Sequence, residues 1–197
     1  GSVTPTDTGT LIYTPPADFI GLDTLIYRLC DTDVPPGCDT AIVVIRILGT
    51  HDYGDAPDPP YNTLRTNTGA RHFYTEGVFL GDTVDVESPG YQSQDADGDD
   101  INGVDDEDGL QSIDQLIQGA SASLSIKSST QGLLNAWIDW NNNGIFESPS
   151  EEIANDLSLN GIQSIPFTVP ANADNDSVYA RFRFSTLGGD GPSGDAD

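Results

Sequence analysis

Wherever apolar residues cluster in this chain, they alternate with polar ones. Ser121-Ala122-Ser123-Leu124-Ser125-Ile126-Lys127 sets its apolar side chains on one face and its polar ones on the other, the signature of a half-buried β-strand. Ser177-Val178-Tyr179-Ala180-Arg181-Phe182-Arg183-Phe184-Ser185 does the same, with Val178, Ala180, Phe182 and Phe184 opposed to Tyr179, Arg181 and Arg183. Further strands are predicted at residues 10–14, 24–30, 41–48, 71–75, 133–140 and 163–169, which are rich in β-branched and aromatic residues. Segments 24–30 and 41–48 read as the two arms of a hairpin. Only residues 113–118 suggest a helix, and that run is too short to sustain one. The predicted class is all-β, built as sandwiches.

The texture changes near Gly49-Thr50. Before it, strands follow one another closely; from Asp52 onward the loops are long, acidic and rich in Gly, Asn and Pro. The chain therefore divides into a small domain at 1–50 and a larger one at 51–197. The loop spanning 81–109 is anomalous for a compact domain unless something orders it.

Charge narrows the function. With 7 Lys+Arg against 32 Asp+Glu, the formal net charge is −25. Binding nucleic acid requires a basic surface, and so does binding an anionic membrane, so neither is expected as a partner. No stretch is long and apolar enough to insert directly into a membrane. Hydrophobic residues make up 36% of the chain, too many for a disordered acidic tail.

Cys30 and Cys38 flank Asp31-Thr32-Asp33-Val34-Pro35-Pro36-Gly37. This spacing suits a disulfide across the hairpin, with a reduced thiol pair as the alternative. Zinc is not indicated, because neither CxxC spacing nor a nearby His pair is present. A disulfide implies an oxidising, extracytoplasmic location.

The acids themselves are concentrated. Residues 95–109 hold eight carboxylates and no Lys or Arg. Two carboxylates ~4 Å apart repel by roughly 4 kcal/mol at an effective dielectric near 20. Such a run either stays solvated or folds around a cation, and Gly and Asn between the acids favour a tight loop around Ca²⁺. Asp95, Asp97 and Asp99 have the i, i+2, i+4 spacing of the first ligands in an EF-hand-like loop, and Asp106 falls at the twelfth position. Asn102, Asp105 and Asp108 would extend coordination to a second ion. The other candidate is Asp139-Trp140-Asn141-Asn142-Asn143-Gly144-Ile145-Phe146-Glu147. Asp139, Asn141 and Asn143 occupy positions 1, 3 and 5, Gly144 is at 6, the Ile145 carbonyl at 7 and Glu147 at 9, with Glu151 or Glu152 as the terminal carboxylate. An Asn-Gly turn needing no metal is the alternative. Asp52, Asp55, Asp85 and Glu87 are secondary candidates, either closing the ion cluster, capping turns or pairing with Arg71. His72 is expected to be packed and hydrogen-bonded rather than a ligand.

From Asp52 onward the chain resembles the GEVED domain of bacterial surface proteins. The resemblance rests on Asp52-Tyr53-Gly54-Asp55-Ala56-Pro57, Gly69-Ala70-Arg71-His72, Leu80-Gly81-Asp82-Thr83-Val84-Asp85-Val86-Glu87, the acidic loop, Trp137-Ile138-Asp139-Trp140-Asn141-Asn142-Asn143-Gly144 and Ala180-Arg181-Phe182-Arg183-Phe184-Ser185. Residues 1–50 resemble the C-terminal half of a bacterial Ig-like or cadherin-like repeat, through Gly9-Thr10-Leu11-Ile12-Tyr13-Thr14-Pro15-Pro16, Phe19-Ile20-Gly21-Leu22-Asp23-Thr24 and Tyr27-Arg28-Leu29-Cys30-Asp31. The resemblance implies a partial Ig-like sandwich followed by a larger, jelly-roll-like β-sandwich with long Ca²⁺-binding loops, in a secreted or cell-surface protein. The family's Gly-Glu-Val-Glu-Asp motif would follow Asp197, and the Ig-like repeat would need strands before Gly1. The given residues are therefore expected to be part of a longer polypeptide, or a subunit completed by strand exchange in a fibre.

Catalysis has little footing: there is no Gly-x-Ser-x-Gly elbow, HExxH or phosphate loop. Carboxylate pairs abound, but a general acid with a raised pKa needs a desolvated pocket. An isopeptide bond would have to use Lys127, the sole lysine, and nothing supports one. The expectation is a non-enzymatic, Ca²⁺-stabilised structural module of an extracellular bacterial adhesin, stalk or filament, whose partners are neighbouring domains or identical subunits. The alternative is a Ca²⁺-dependent glycan- or receptor-binding module using Trp140 and Tyr91.

Overall fold

The computed structural model describes residues 1–16, 19, 21–47, 51–84, 86, 92–98 and 108–196. Within them the chain is all-β apart from one 3-10 turn at Arg65–Asn67, and it separates into two compact units, Gly1–Gly49 and Thr50–Asp197. No helix among the described residues is long and apolar enough to cross a membrane.

Unit 1 contains two antiparallel ribbons. Strands β1 (Ser2–Pro5) and β2 (Leu11–Thr14) form the short one, and β3 (Gly21–Cys30) and β4 (Cys38–Ile47) the long one. The long ribbon is the hairpin expected from the sequence. Its register places Cys30 opposite Cys38, and the two form the disulfide at the mouth of the loop. Inside that loop Asp31 acts as a local staple, its Oδ1 accepting from the backbone N–H groups of Asp33 and Gly37. The ribbon's two faces differ. On one side Asp23 accepts from the Tyr13 hydroxyl and the N-terminal ammonium, and those bonds hold its carboxyl down at about 2. The other side carries Leu22, Ile26, Ile42 and Val44, all exposed.

Unit 2 is a two-layer sandwich with a smaller third sheet. One layer has the order β10-β9-β12, from β9 (Gly132–Ile138), β10 (Glu152–Leu159) and β12 (Ala180–Ser185). The other has the order β11-β8-β7, from β7 (Leu110–Ile113), β8 (Ser121–Lys127) and β11 (Ile162–Thr168). The third sheet joins β5 (His51–Tyr53), β6 (Arg71–Phe73) and β13 (Asp195–Ala196), the last lying parallel to β6. Strand β8 follows its sequence pattern: Ala122, Leu124 and Ile126 are buried. Leu124 and Ile126 meet Leu134, Ala136, Ala154, Leu159, Ile165 and Phe184 in the main core. Fully burying one such side chain contributes about 1.5–3 kcal/mol, so this contact set dominates the unit.

Two sequence expectations change here. Residues 113–118 form no helix: Ile113 ends β7, and Asp114 turns back to accept from the N–H and hydroxyl of Ser123. Strand β12 is not half-exposed, because Arg181 and Arg183 are buried along with the phenylalanines. Arg183 Nη1 donates to the carbonyls of Gly191 and Ser193, and Nη2 to those of Arg71 and Gly194. A guanidinium presents its donors in a fixed fork, so one side chain can tie the returning segment 191–194 to β6. Burial lowers the pKa of both arginines, Arg181 to about 10.

Candidate metal centre

The second acidic candidate lies in the hairpin loop between β9 and β10. Antiparallel pairing fixes the feet of this loop. Glu152 stands opposite Trp137, and the Ile138 N–H donates to the Glu151 carbonyl at 2.9 Å. Asp139 and Glu151 are thus brought to the same end of the sandwich although twelve positions separate them. Apolar side chains pin the loop between them. Phe146 is buried and stacks on Tyr61 with ring centroids 4.9 Å apart, and the Arg181 guanidinium lies 4.9 Å from the Phe146 centroid. Trp137 Nε1 donates to Ser148 Oγ at 2.8 Å.

The turn winds around Asp139, which is fully buried. Its Oδ2 accepts from the Tyr61 hydroxyl (2.6 Å) and the Gly144 N–H (2.8 Å), and its Oδ1 from the Asn143 N–H (3.1 Å). Asn141 Oδ1 accepts from the Asn143 N–H, and Asn143 Oδ1 from the Ile145 N–H. Short side chains curling onto backbone two residues ahead make successive Asx turns. Gly144 is required at its position: its φ is +83°, and an added Cβ would stand 2.4 Å from Pro60 Cβ. Oxygens at positions 1, 3 and 5 therefore line the inside of one turn, as their spacing predicts.

Glu151 completes the arrangement from the far foot. It is 3% exposed; Oε2 accepts from the Glu147 N–H at 2.9 Å, while Oε1 is buried with no hydrogen-bond partner. Burial raises its pKa, and the charges of Asp139 and Glu147 add to that rise. Tyr61 is raised as well, first by burial and then by its bond to Asp139. No Lys or Arg pairs with Asp139, Glu147 or Glu151 among the described residues. Glu147 is exposed, 3.4 Å from the Asn141 amide. Glu152 lies on β10, and its carboxylate takes the Asn155 amide instead.

A buried carboxylate oxygen without a donor is costly, and more so beside other acids. Asp139, Glu147 and Glu151 together with the oxygens of Asn141, Asn143 and the Ile145 backbone form a hard-oxygen donor set, which fits a divalent cation of the Ca²⁺ type. Carboxamide and carbonyl oxygens would have to supply part of the shell. Among the described residues, no three His, Cys, Asp or Glu side chains converge closely enough to form a metal site from ionisable ligands alone.

The first acidic candidate is only partly described: Asp99, Asn102, Asp105 and Asp106 lie outside the described residues. Asp97 Oδ1 accepts from the Ser93 hydroxyl. Asp95 and Ala96 line a cleft of about 1160 Å³ whose opposite wall includes Asn142, Asn143 and Gly144, with Asp58, Tyr61, Asp176 and Tyr179 between. Parts of both candidate loops thus share one cleft. Asp108 is placed elsewhere, its carboxylate accepting from the Asp82 N–H.

Other expectations are revised. Trp140 is 5% exposed and packs with Ile138, Val169 and Ala173, so it is no surface platform, and Tyr91 lies outside the described residues. Arg71 pairs with Asp195 rather than with any of the four secondary acids. Of those, Asp85 and Glu87 are outside the described residues, and Asp52 and Asp55 line a separate, mainly apolar cavity of about 390 Å³. His72 is packed as expected, but its Nε2 has no partner; burial, with Arg183 nearby, drops its pKa to about 3. Lys127 pairs with Asp82 at the surface. Sequence reasoning missed Tyr61, the long-range donor to Asp139. It also missed Asp58, whose carboxylate gathers the N–H groups of Thr63 and Leu64 and the Asn67 amide beside that tyrosine.

The described fold is that of an all-β, disulfide-bearing protein with an Asx-turn acidic hairpin loop. Residues 133–197 match the family model of the GEVED domain, a span that starts in β9 and takes in the whole hairpin loop and β12. No curated protein and no solved structure matches the chain.

Proposed function

We propose that this chain is a Ca²⁺-stabilised structural module of an extracellular bacterial surface adhesin, stalk or filament. One observation carries the reading: Glu151 holds a buried, unpartnered carboxylate oxygen facing the same loop as fully buried Asp139, with no cationic side chain there. A divalent ion would neutralise the acids and lock the hairpin loop to both strands. The disulfide supports an oxidising compartment, and the GEVED match supports a modular surface protein. Polymerisation by strand exchange belongs to the same proposal.

Terbium luminescence tests the ion site directly, because Trp137 and Trp140 flank the loop. Tb³⁺ is expected to give tryptophan-sensitised emission that excess Ca²⁺ quenches, and Asp139→Asn should weaken Tb³⁺ binding at least tenfold. Emission unaffected by Asp139→Asn would remove this loop as the site.

The cleft favours a second reading, Ca²⁺-dependent glycan binding. Amide side chains of Gln92, Gln94, Asn142 and Asn143 line it beside Tyr179 and the rings of Pro59 and Pro60, the mixture of hydrogen-bonding groups and flat apolar surface that suits a sugar. A glycan array with hits in Ca²⁺ that vanish with Asn142→Ala would support it. An array without hits leaves the structural reading alone.

A further inference from the structure

The bare face of the long ribbon is the most unusual surface of the described chain. Register puts Leu22, Thr24, Ile26 and Arg28 of β3 beside Arg46, Val44, Ile42 and Thr40 of β4 on one side. Leu22, Ile26, Ile42 and Val44 are 67, 63, 64 and 60% exposed. An isolated two-stranded ribbon is marginal in water, and contiguous exposed apolar patches mark interaction surfaces. An arginine brackets this patch at each end. Among the described residues, Arg71 and Lys127 pair with aspartates, and Arg181 and Arg183 are buried on oxygen acceptors. Arg28 and Arg46 engage no hydrogen bond or ion pair through their side chains. Two unpaired cations on one apolar face, in a chain of net charge −25, call for an apolar partner bracketed by carboxylates.

The chain carries such a surface. β7 is the outer strand of its sheet. It exposes Leu110 (39%) and Ile113 (46%), and Asp108 and Asp114 stand just beyond its ends. The spacings agree. Arg46 lies opposite Leu22, six positions from Arg28, and Asp108 is six positions from Asp114. In extended chain each interval is about 20 Å.

We propose that the β3–β4 face docks on the β7 edge of a second copy of this chain, setting Arg28 and Arg46 against Asp108 and Asp114. The proposal rests on the structural-module reading and names its partner. Pairing the ribbon face with itself would bring arginine onto arginine in an antiparallel dimer. A face-to-edge contact joins two different surfaces, does not close on itself, and so builds head-to-tail chains.

Sedimentation velocity in 0.15 M salt with Ca²⁺ tests it through a charge exchange. The unaltered chain is expected to form species that grow beyond dimer with concentration. Arg28→Glu/Arg46→Glu alone, and Asp108→Lys/Asp114→Lys alone, should each associate at least tenfold more weakly, and mixing the two variants should restore association. If the aspartate variant loses its fold, Ile26→Asp/Ile42→Asp replaces it: these exposed positions tolerate charge, and the melting temperature should hold while association is lost. A monomer at all concentrations, an association that stops at dimer, variants that associate like the parent, or a mixture that fails to recover each overturns the proposal. Melting in chelator reports separately on the ion site, so failure of one reading is not mistaken for failure of the other.

Discussion

EDTA is expected to lower the melting temperature of unit 2 by about 5–10 °C for each occupied site relative to excess Ca²⁺. Free ion at a hundredfold over Kd adds about 2.7 kcal/mol per independent site. In a domain of this size 1 kcal/mol moves the midpoint by roughly 2–4 °C. The direction follows from the loop. Without an ion, folding buries Asp139 and Glu151 with Glu147 nearby, and Glu151 Oε1 meets no donor. Binding the ion replaces mutual repulsion with attraction at each of these oxygens. Mg²⁺ should restore the midpoint poorly: it demands near-octahedral geometry at about 2.0–2.1 Å and gives up water reluctantly, whereas this donor set mixes carboxylate, carboxamide and carbonyl oxygens on a flexible turn. Unit 1 contains neither candidate loop and is held by the Cys30–Cys38 disulfide, so its transition should ignore the chelator. Identical calorimetric traces in EDTA and Ca²⁺ would end the ion reading.

The sequence was most legible where the pattern is local. Strand β8 is bounded as its alternation predicts, and the cysteine pair closes the hairpin it flanks. The ligand spacing of 139–145 was equally readable, because successive Asx turns bond residues two apart. Strand β10 was missed for a physical reason. Its pairing with β9 shifts register between Glu152 and Ala154 and again between Ala154 and Leu157, and Asp156 adopts a φ of +45°. Bulges break a period of two, so Ile153, Ala154, Leu157 and Leu159 do not alternate although they pack into or against the core. Strands β5 and β13 exist only through pairing with β6, and two or three residues hold no periodic signal. Arg181 and Arg183 obeyed the alternation and still misled, because the side they mark as polar is covered by segment 191–194 and its carbonyls. Tyr61 reaches Asp139 across 78 positions, a distance at which spacing carries no information.

Glu151→Gln is expected to change the sign of its effect with the ion. In chelator the variant should be more stable than the parent by about 1 kcal/mol, the low end of the cost of a buried unsatisfied polar atom. The substitution keeps the shape of the side chain and removes a charge that burial and Asp139 both disfavour. The amide also offers a donor where Oε1 now has no partner, and the Oε2 bond from the Glu147 N–H survives on the amide oxygen. In Ca²⁺ the order should invert: a neutral ligand replaces a charged one, and ligand charge sets affinity in such loops. A tenfold loss of affinity costs about 1.4 kcal/mol. Glu152→Gln is the matched control one residue along, because that carboxylate bonds Asn155 on the strand; its effect should be small and keep one sign in both conditions. A Glu151 that serves only to hold the turn together predicts destabilisation by the amide with and without the ion. Two melting curves for each of three proteins therefore separate a buried acid waiting for a cation from one that is merely part of the hairpin.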